Sequence, residues 1–302
     1  MPPPAHPLRG LPILAAAALG WTPGAAVPGD PPAWIWGVTT DDPRVRTEAQ
    51  AAALRAFPFR PVVRVVFDLP AGGRPTARDY APSVATLAGS AALMGLPVDS
   101  SDLARLDLPA VRARIAEYLD TLGAWIPLWE VGNEANGDWA GPDAAAKVEA
   151  MFDAVKAAGR QAALTLYFEH LPAPGHGLLA WVDAHLPPGH RMRRGVDLVL
   201  VSHYEDQDGG RPLRRSELQT LFAALAERFP NARLGLGESG WGGAIPGSAA
   251  TRAALLRRVY GHRLPSVPAF AGGGFYWHFR QTMVPRTAPD WRVLASLGAS
   301  GP

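Results

Sequence analysis

The chain has 302 residues, of which 48% are hydrophobic and 19% charged, so a sizeable core is available in one large domain or two ordinary ones. The formal net charge is only +2 and Lys147 and Lys156 are the only lysines; arginines such as Arg191, Arg193 and Arg194 form no dense stripe, which excludes the concentrated basic footprint of a nucleic-acid binder. There is no cysteine, which excludes disulfides, thiolate metal sites and a cysteine-linked lipid anchor.

Residues 1–30 are rich in Pro, Ala and Gly. Arg9 precedes the apolar run Leu11–Trp21, and small residues follow at Gly24, Ala25 and Ala26. That order predicts a signal peptide, and so a secreted or periplasmic protein; the bland alternative is an apolar Pro/Ala-rich leader. The run is short for a bilayer, no later segment predicts a membrane span, and a monomer is expected.

From Trp34 onward, short β-type runs alternate with longer stretches of helical period. The predicted strands are Trp34–Val38, Val62–Phe67, Ala92–Pro97, Trp125–Val131, Ala162–Phe168, Val196–Ser202, Arg233–Gly237 and Gly273–Trp277. Helices are predicted over Glu48–Ala56, Leu108–Leu122, Ala144–Ala158, Ser216–Phe229 and Ala249–Tyr260, with Asp107 and Ser216 as N-caps. Successive strands begin roughly 30–40 residues apart, the size of a βα unit. After the first strand comes Thr39-Thr40-Asp41-Asp42, with no glycine fingerprint for a phosphate. The fold expected for residues 31–302 is therefore a single α/β domain, a closed (β/α)8 TIM barrel.

In such a barrel the chemistry sits at the C-terminal ends of the strands. Those ends carry Asp68, Asp99, Asn133-Glu134, Glu169-His170, His203-Tyr204-Glu205, Glu238 and Trp277-His278. Carboxylates suit hydroxyl groups, and aromatic faces suit the apolar side of sugar rings. Glu134, in Trp129-Glu130-Val131-Gly132-Asn133-Glu134, closes the fourth strand; Glu238, in Gly235-Leu236-Gly237-Glu238, closes the seventh. Breaking a glycosidic bond requires two carboxyl groups flanking it, one to protonate the leaving oxygen and one to attack carbon or activate water. The alternative for either alone is a surface glutamate.

Period-two alternation places Arg64 on the face opposite Val63, Val65 and Phe67. A charge buried there needs an acidic partner, Glu130 or Glu238; a purely structural Arg64–Glu130 pair is the rival reading. The same alternation puts Leu234, Leu236 and Glu238 on one face and turns Gly235 and Gly237 outward. Asn133 and Glu134 can both reach a ligand only across a bulge or a break. Among the tryptophans, Trp241 and Trp277 are expected to face the ligand. His170, His203 and His278 lie at strand ends, but a metal-dependent barrel hydrolase carries His-x-His on its first strand. Here that strand reads Trp34-Ile35-Trp36-Gly37-Val38, so no metal and no cofactor is expected. No Gly-x-Ser-x-Gly elbow is present.

On Asn133-Glu134 and Glu238, set in eight βα units, the chain resembles the clan A superfamily of retaining glycoside hydrolases over residues 33–280. The resemblance implies that Glu134 is the acid/base and Glu238 the nucleophile, with Asn133 bonding a sugar 2-hydroxyl. It further implies that Arg64 and the His203-Tyr204 segment support nucleophile and substrate, and that Trp277 floors the cleavage subsite. Many members have Pro after the Asn-Glu pair, where this chain has Ala135, and the specific family stays open. The expected activity is cleavage of β-glycosidic bonds in a poly- or oligosaccharide. A non-catalytic carbohydrate-binding barrel and a transglycosylase using the same glutamates are the alternatives.

Overall fold

The computed structural model describes residues 31–69 and 76–301; the expected leader, residues 1–30, lies outside them. Eight parallel strands close on themselves in chain order: β1 Ile35–Thr40, β2 Val62–Val66, β3 Ala92–Leu96, β4 Leu128–Gly132, β5 Gln161–Tyr167, β6 Leu198–Ser202, β7 Arg233–Leu236 and β8 Phe270–Tyr276. The described residues thus form a TIM barrel, with helices between the strands. These are α1 Thr47–Arg55, α2 Ala77–Ala88, α3 Ser100–Leu103, α4 Leu108–Leu122, α5 Ala144–Ala157, α6 Leu178–His185, α7 Met192–Gly195, α8 Arg215–Arg228, α9 Ala249–Tyr260 and α10 Pro289–Ala299. No helix of the described residues is long and apolar enough to cross a membrane.

Two apolar cores follow from the strand alternation. Ile35, Val62, Ala92, Met94, Leu128, Ala163, Leu198, Leu200 and Phe275 fill the inside of the barrel. Val63, Val65, Trp129, Val131, Leu164, Leu166, Val199 and Val201 point outward into a larger core beneath the helices. Arg64, two residues from Val62, is therefore an inward side chain, as its position in the β-run predicts.

Asp107 caps α4, its carboxylate accepting from Ala110 N at 2.8 Å. Ser216 does not cap α8. The helix begins one residue earlier, and Glu217 reaches back to Arg214 N at 2.7 Å. The expected facing of β7 is also reversed. A side chain at Gly235 would come within 3.3 Å of the inner-core Leu200, and one at Gly237 within 2.8 Å of Ser202 Oγ, whereas Leu234 and Leu236 belong to the outer core. The reason is that β7 ends at Leu236, so its period does not extend to Glu238. In β8, Gly272, Gly273 and Gly274 all have φ between +86° and +110°, a backbone that side chains rarely adopt. There the register shifts against both β1 and β7, and Phe275 is delivered to the barrel interior.

Candidate active site

Two irregularities at strand ends build the site. Strand β4 shifts register against β5 between Glu130 and Gly132, and Glu134 then takes φ +46°. A left-handed conformation costs a residue with a Cβ roughly 1–2 kcal/mol, so the surrounding structure must enforce it. Asn136 supplies part of that enforcement. Its Nδ2 donates to Tyr167 O at 2.8 Å and His176 O at 2.9 Å, and its Oδ1 accepts from Tyr167 N at 2.7 Å, which clamps the β4 loop to β5. In the sequence Asn136 is marked only by being an amide two residues beyond Glu134.

Glu238 follows β7 and is fixed at its backbone by β6: its N–H donates to Ser202 Oγ at 2.9 Å, and its carbonyl accepts from His203 N at 3.1 Å. Its carboxylate collects three donors. Asn133 Nδ2 (2.8 Å) and Arg64 Nη2 donate to Oε1, and the Tyr204 hydroxyl donates to Oε2 at 2.8 Å. The fully buried Arg64 guanidinium also lies 3.5 Å from Glu130 Oε1 and 5.3 Å from the Trp277 ring. Both candidate partners of Arg64 are therefore present, and Glu238 holds the closer contact. Glu130 Oε1 accepts in addition from Thr165 and, at 3.2 Å, from Asn133 Nδ2.

Glu134 differs from its two neighbouring carboxyls. It is 7% exposed, and its buried Oε1 has no hydrogen-bond partner among the described residues. Burial, reinforced by the negative charge of Glu238, holds its pKa well above the ordinary carboxyl range. Burial likewise raises Glu130, with Arg64 opposing it. Burial works against the charge of Arg64, but Glu130 and Glu238 outweigh it and keep the guanidinium firmly protonated. The Tyr204 hydroxyl is pushed far up by burial and by Glu238, so it remains a donor.

Glu134, Glu238, Tyr204, Trp241 and Trp277 all line one cleft of about 880 Å³, together with Asp99, Ser101, Trp139 and Gln207. Two expected ligand contacts are not in that lining. Asn133 is 2% exposed and its polar atoms are committed, Nδ2 to Glu238 and Glu130 and Oδ1 to Ser100 N at 2.9 Å. His203 turns away from the cleft, with Nδ1 3.2 Å from Phe168 O and Nε2 2.9 Å from Arg211 O. Adjacent residues at a strand end present opposite faces, so His203 and Tyr204 cannot both point inward. His170 pairs with Asp208, and His278 packs on Trp241 with ring centroids 6.0 Å apart. Trp139, 39% exposed, joins the cleft from the loop after β4; its exposure was the signal that a sequence lacks.

No protein-family model matches the chain, and no curated protein matches it. Solved structures do. A GH10 xylanase from Thermobacillus composti aligns at 13% identity over 87% of this chain and 96% of its own, with a TM-score of 0.57. An apo β-glucosidase aligns at 14% identity over 84% and 87%, with a TM-score of 0.52. Triosephosphate isomerase from Bartonella henselae aligns at 11% identity over 86% and 97%, with a TM-score of 0.50. Such likenesses establish the barrel, which hosts many unrelated chemistries, so function has to be argued from the site itself.

Proposed function

We propose that this barrel is a retaining glycoside hydrolase that cleaves β-glycosidic bonds in a poly- or oligosaccharide, with Glu238 as nucleophile and Glu134 as acid/base. The observation that carries the reading is the difference between the two carboxyls of one cleft. Glu238 is held by three donors, one of them a guanidinium; Glu134 is buried, unpartnered at Oε1 and pushed toward its protonated form. A carboxylate held by three donors and a buried carboxyl pushed toward its protonated form suit the separate roles of nucleophile and acid.

In the first step a Glu238 oxygen bonds to the anomeric carbon as the bond to the leaving oxygen breaks, and the Glu134 proton moves to that oxygen. As charge leaves the carboxylate, Arg64, Asn133 and Tyr204 remain in place to receive it back. In the second step water gives its proton to Glu134, its oxygen bonds to the anomeric carbon, and Glu238 is released. Trp277, which lines the cleft above Arg64, offers a flat face for the reacting sugar, and Trp241 and Trp139 extend the aromatic surface. No metal or cofactor takes part in this scheme. The apolar run at Leu11–Trp21 adds export from the cytoplasm to the proposal.

The test is an assay on β-glucan, mannan and xylan that reads both hydrolysis and transfer products, run beside Glu238→Gln. Sugar release that Glu238→Gln abolishes with the fold intact supports the reading. Transfer products without hydrolysis would make the protein a transglycosylase, and binding without turnover would make it a carbohydrate-binding barrel.

A further inference from the structure

Beside the cleft lies a second, smaller pocket that the two-glutamate scheme does not use. It has a volume of about 350 Å³ and is walled by Asn136, Asp138, Trp139, Tyr167, Glu169 and His176. Trp139 belongs to both cavities and meets the Tyr167 ring edge to face at 5.2 Å, so the two spaces share an aromatic wall. The pocket opens beside the backbone that carries Glu134: Gly137 N donates to Glu134 O at 2.8 Å, and Glu134 itself is 7% exposed. An acid gives its proton to the leaving oxygen, so a leaving sugar must extend to the Glu134 side of the cleft, which is the side of this pocket.

Apart from His176, the titratable groups that charge the pocket are acids. Among the described residues the carboxylates of Asp138 and Glu169 make no hydrogen bond and no ion pair. Among the described residues neither the pocket nor the cleft has an arginine or lysine in its lining, while the cleft adds Asp99, Glu134 and Glu238. Arg64 is fully buried beneath Trp277 and committed to Glu130 and Glu238, and the His176 ring shares a proton through Nδ1 with Asn136 O at 2.9 Å. Among the described residues a sugar carrying a carboxylate finds two carboxylates against it here and no arginine or lysine to pair with. A sugar carrying a protonated amine finds two uncommitted carboxylates beside an aromatic platform. Resting on the hydrolase reading for its orientation, we propose that this pocket is the leaving-group subsite and that it selects an amino sugar with a free, protonated amine.

The probes are the β-1,4-linked hexamer of glucosamine, its N-acetylated counterpart and cellohexaose, titrated calorimetrically into the wild-type protein and the Asp138→Asn/Glu169→Gln double variant in slightly acidic buffer. At low salt the glucosamine hexamer is expected to bind about tenfold more tightly than the two neutral chains, a difference of about 1.4 kcal/mol. That gap should close in the double variant and, for the wild type, in high salt. Equal affinity for charged and neutral hexamers, no binding of the glucosamine chain, or a gap that the double substitution leaves intact overturns the proposal. Should the double variant fail to fold, the salt titration of the wild type decides, and a gap insensitive to salt overturns it. Product analysis of the same three chains reports separately on Glu134 and Glu238. Cleavage without amine preference sinks only the subsite, and amine preference without cleavage of any chain sinks only the hydrolase reading.

Discussion

Replacing Glu134 by glycine should make the protein more stable and less active at once. At φ +46° the glutamate backbone carries a strain of roughly 1–2 kcal/mol that glycine lacks. Against this, a glycine adds about 0.4–1 kcal/mol of unfolded-chain entropy. The side chain gives up little else, because its Oε1 has no partner among the described residues, and burial and Glu238 outweigh the pull of Arg64 toward its charged form. The net expectation is a gain of about 1 kcal/mol, or about 2 °C in melting temperature for a domain of this size. Turnover should fall by about 10²–10⁴ on a sugar leaving group, the usual contribution of a positioned acid. An aryl glycoside with an acidic phenol leaves without a proton, so its first step should survive in Glu134→Gly, and product should accumulate as an initial burst. Glu134→Gln keeps the strained backbone and should lose the same activity without the stability gained from glycine. Thermal unfolding and stopped-flow assays on both leaving groups check this. A Glu134→Gly protein that is less stable than wild type, or that loses both substrates equally, would refute the argument from strain and proton donation.

Two further expectations concern charge. The acid role requires a protonated Glu134, so activity should be present below its raised pKa and be lost as pH climbs through it; a pH–rate profile of kcat/KM locates that limb. The folded-state pKa of Glu134 lies above its unfolded value, so its contribution to stability is complete below the ordinary carboxyl range and declines as pH rises toward the raised value. Glu134→Gln should remove that decline in denaturant titrations across pH. Arg64→Met leaves Glu130 and Glu238 buried beside each other without their shared cation and should cost about 3–5 kcal/mol by urea unfolding; a loss under 1 kcal/mol would show that the pair is not held by that charge.

The barrel was legible because its strands are regular. Val62–Val66 and Leu198–Ser202 alternate cleanly, and the alternation alone turns Arg64 inward. Legibility failed where the period breaks. Gly237 and Glu238 lie past the end of β7, so counting by twos from Leu234 gave the wrong face, and the left-handed glycines of β8 hid where that strand begins. Helices α2, α3, α6, α7 and α10 lie outside the expected stretches. Pro82 lies within α2, α3 and α7 have four residues each, and α6 has only eight. Residue type singles out Glu134, Glu238, Tyr204, Trp241 and Trp277, which the fold brings into one cleft. It could not show that the hydrogen bonds of Asn133 are already taken, that His203 faces the outer core, or that Trp139 stands exposed at the cleft. Those facts belong to tertiary contacts that span the barrel.

The assignment of Glu238 as nucleophile is tested most directly by trapping. Incubation with a panel of 2-deoxy-2-fluoro glycosides bearing good leaving groups, followed by peptide mass spectrometry, should find one sugar covalently attached to the peptide containing Glu238, with no adduct in Glu238→Gln. An adduct on another residue, or turnover of these compounds to an inverted product with no adduct at all, would contradict it.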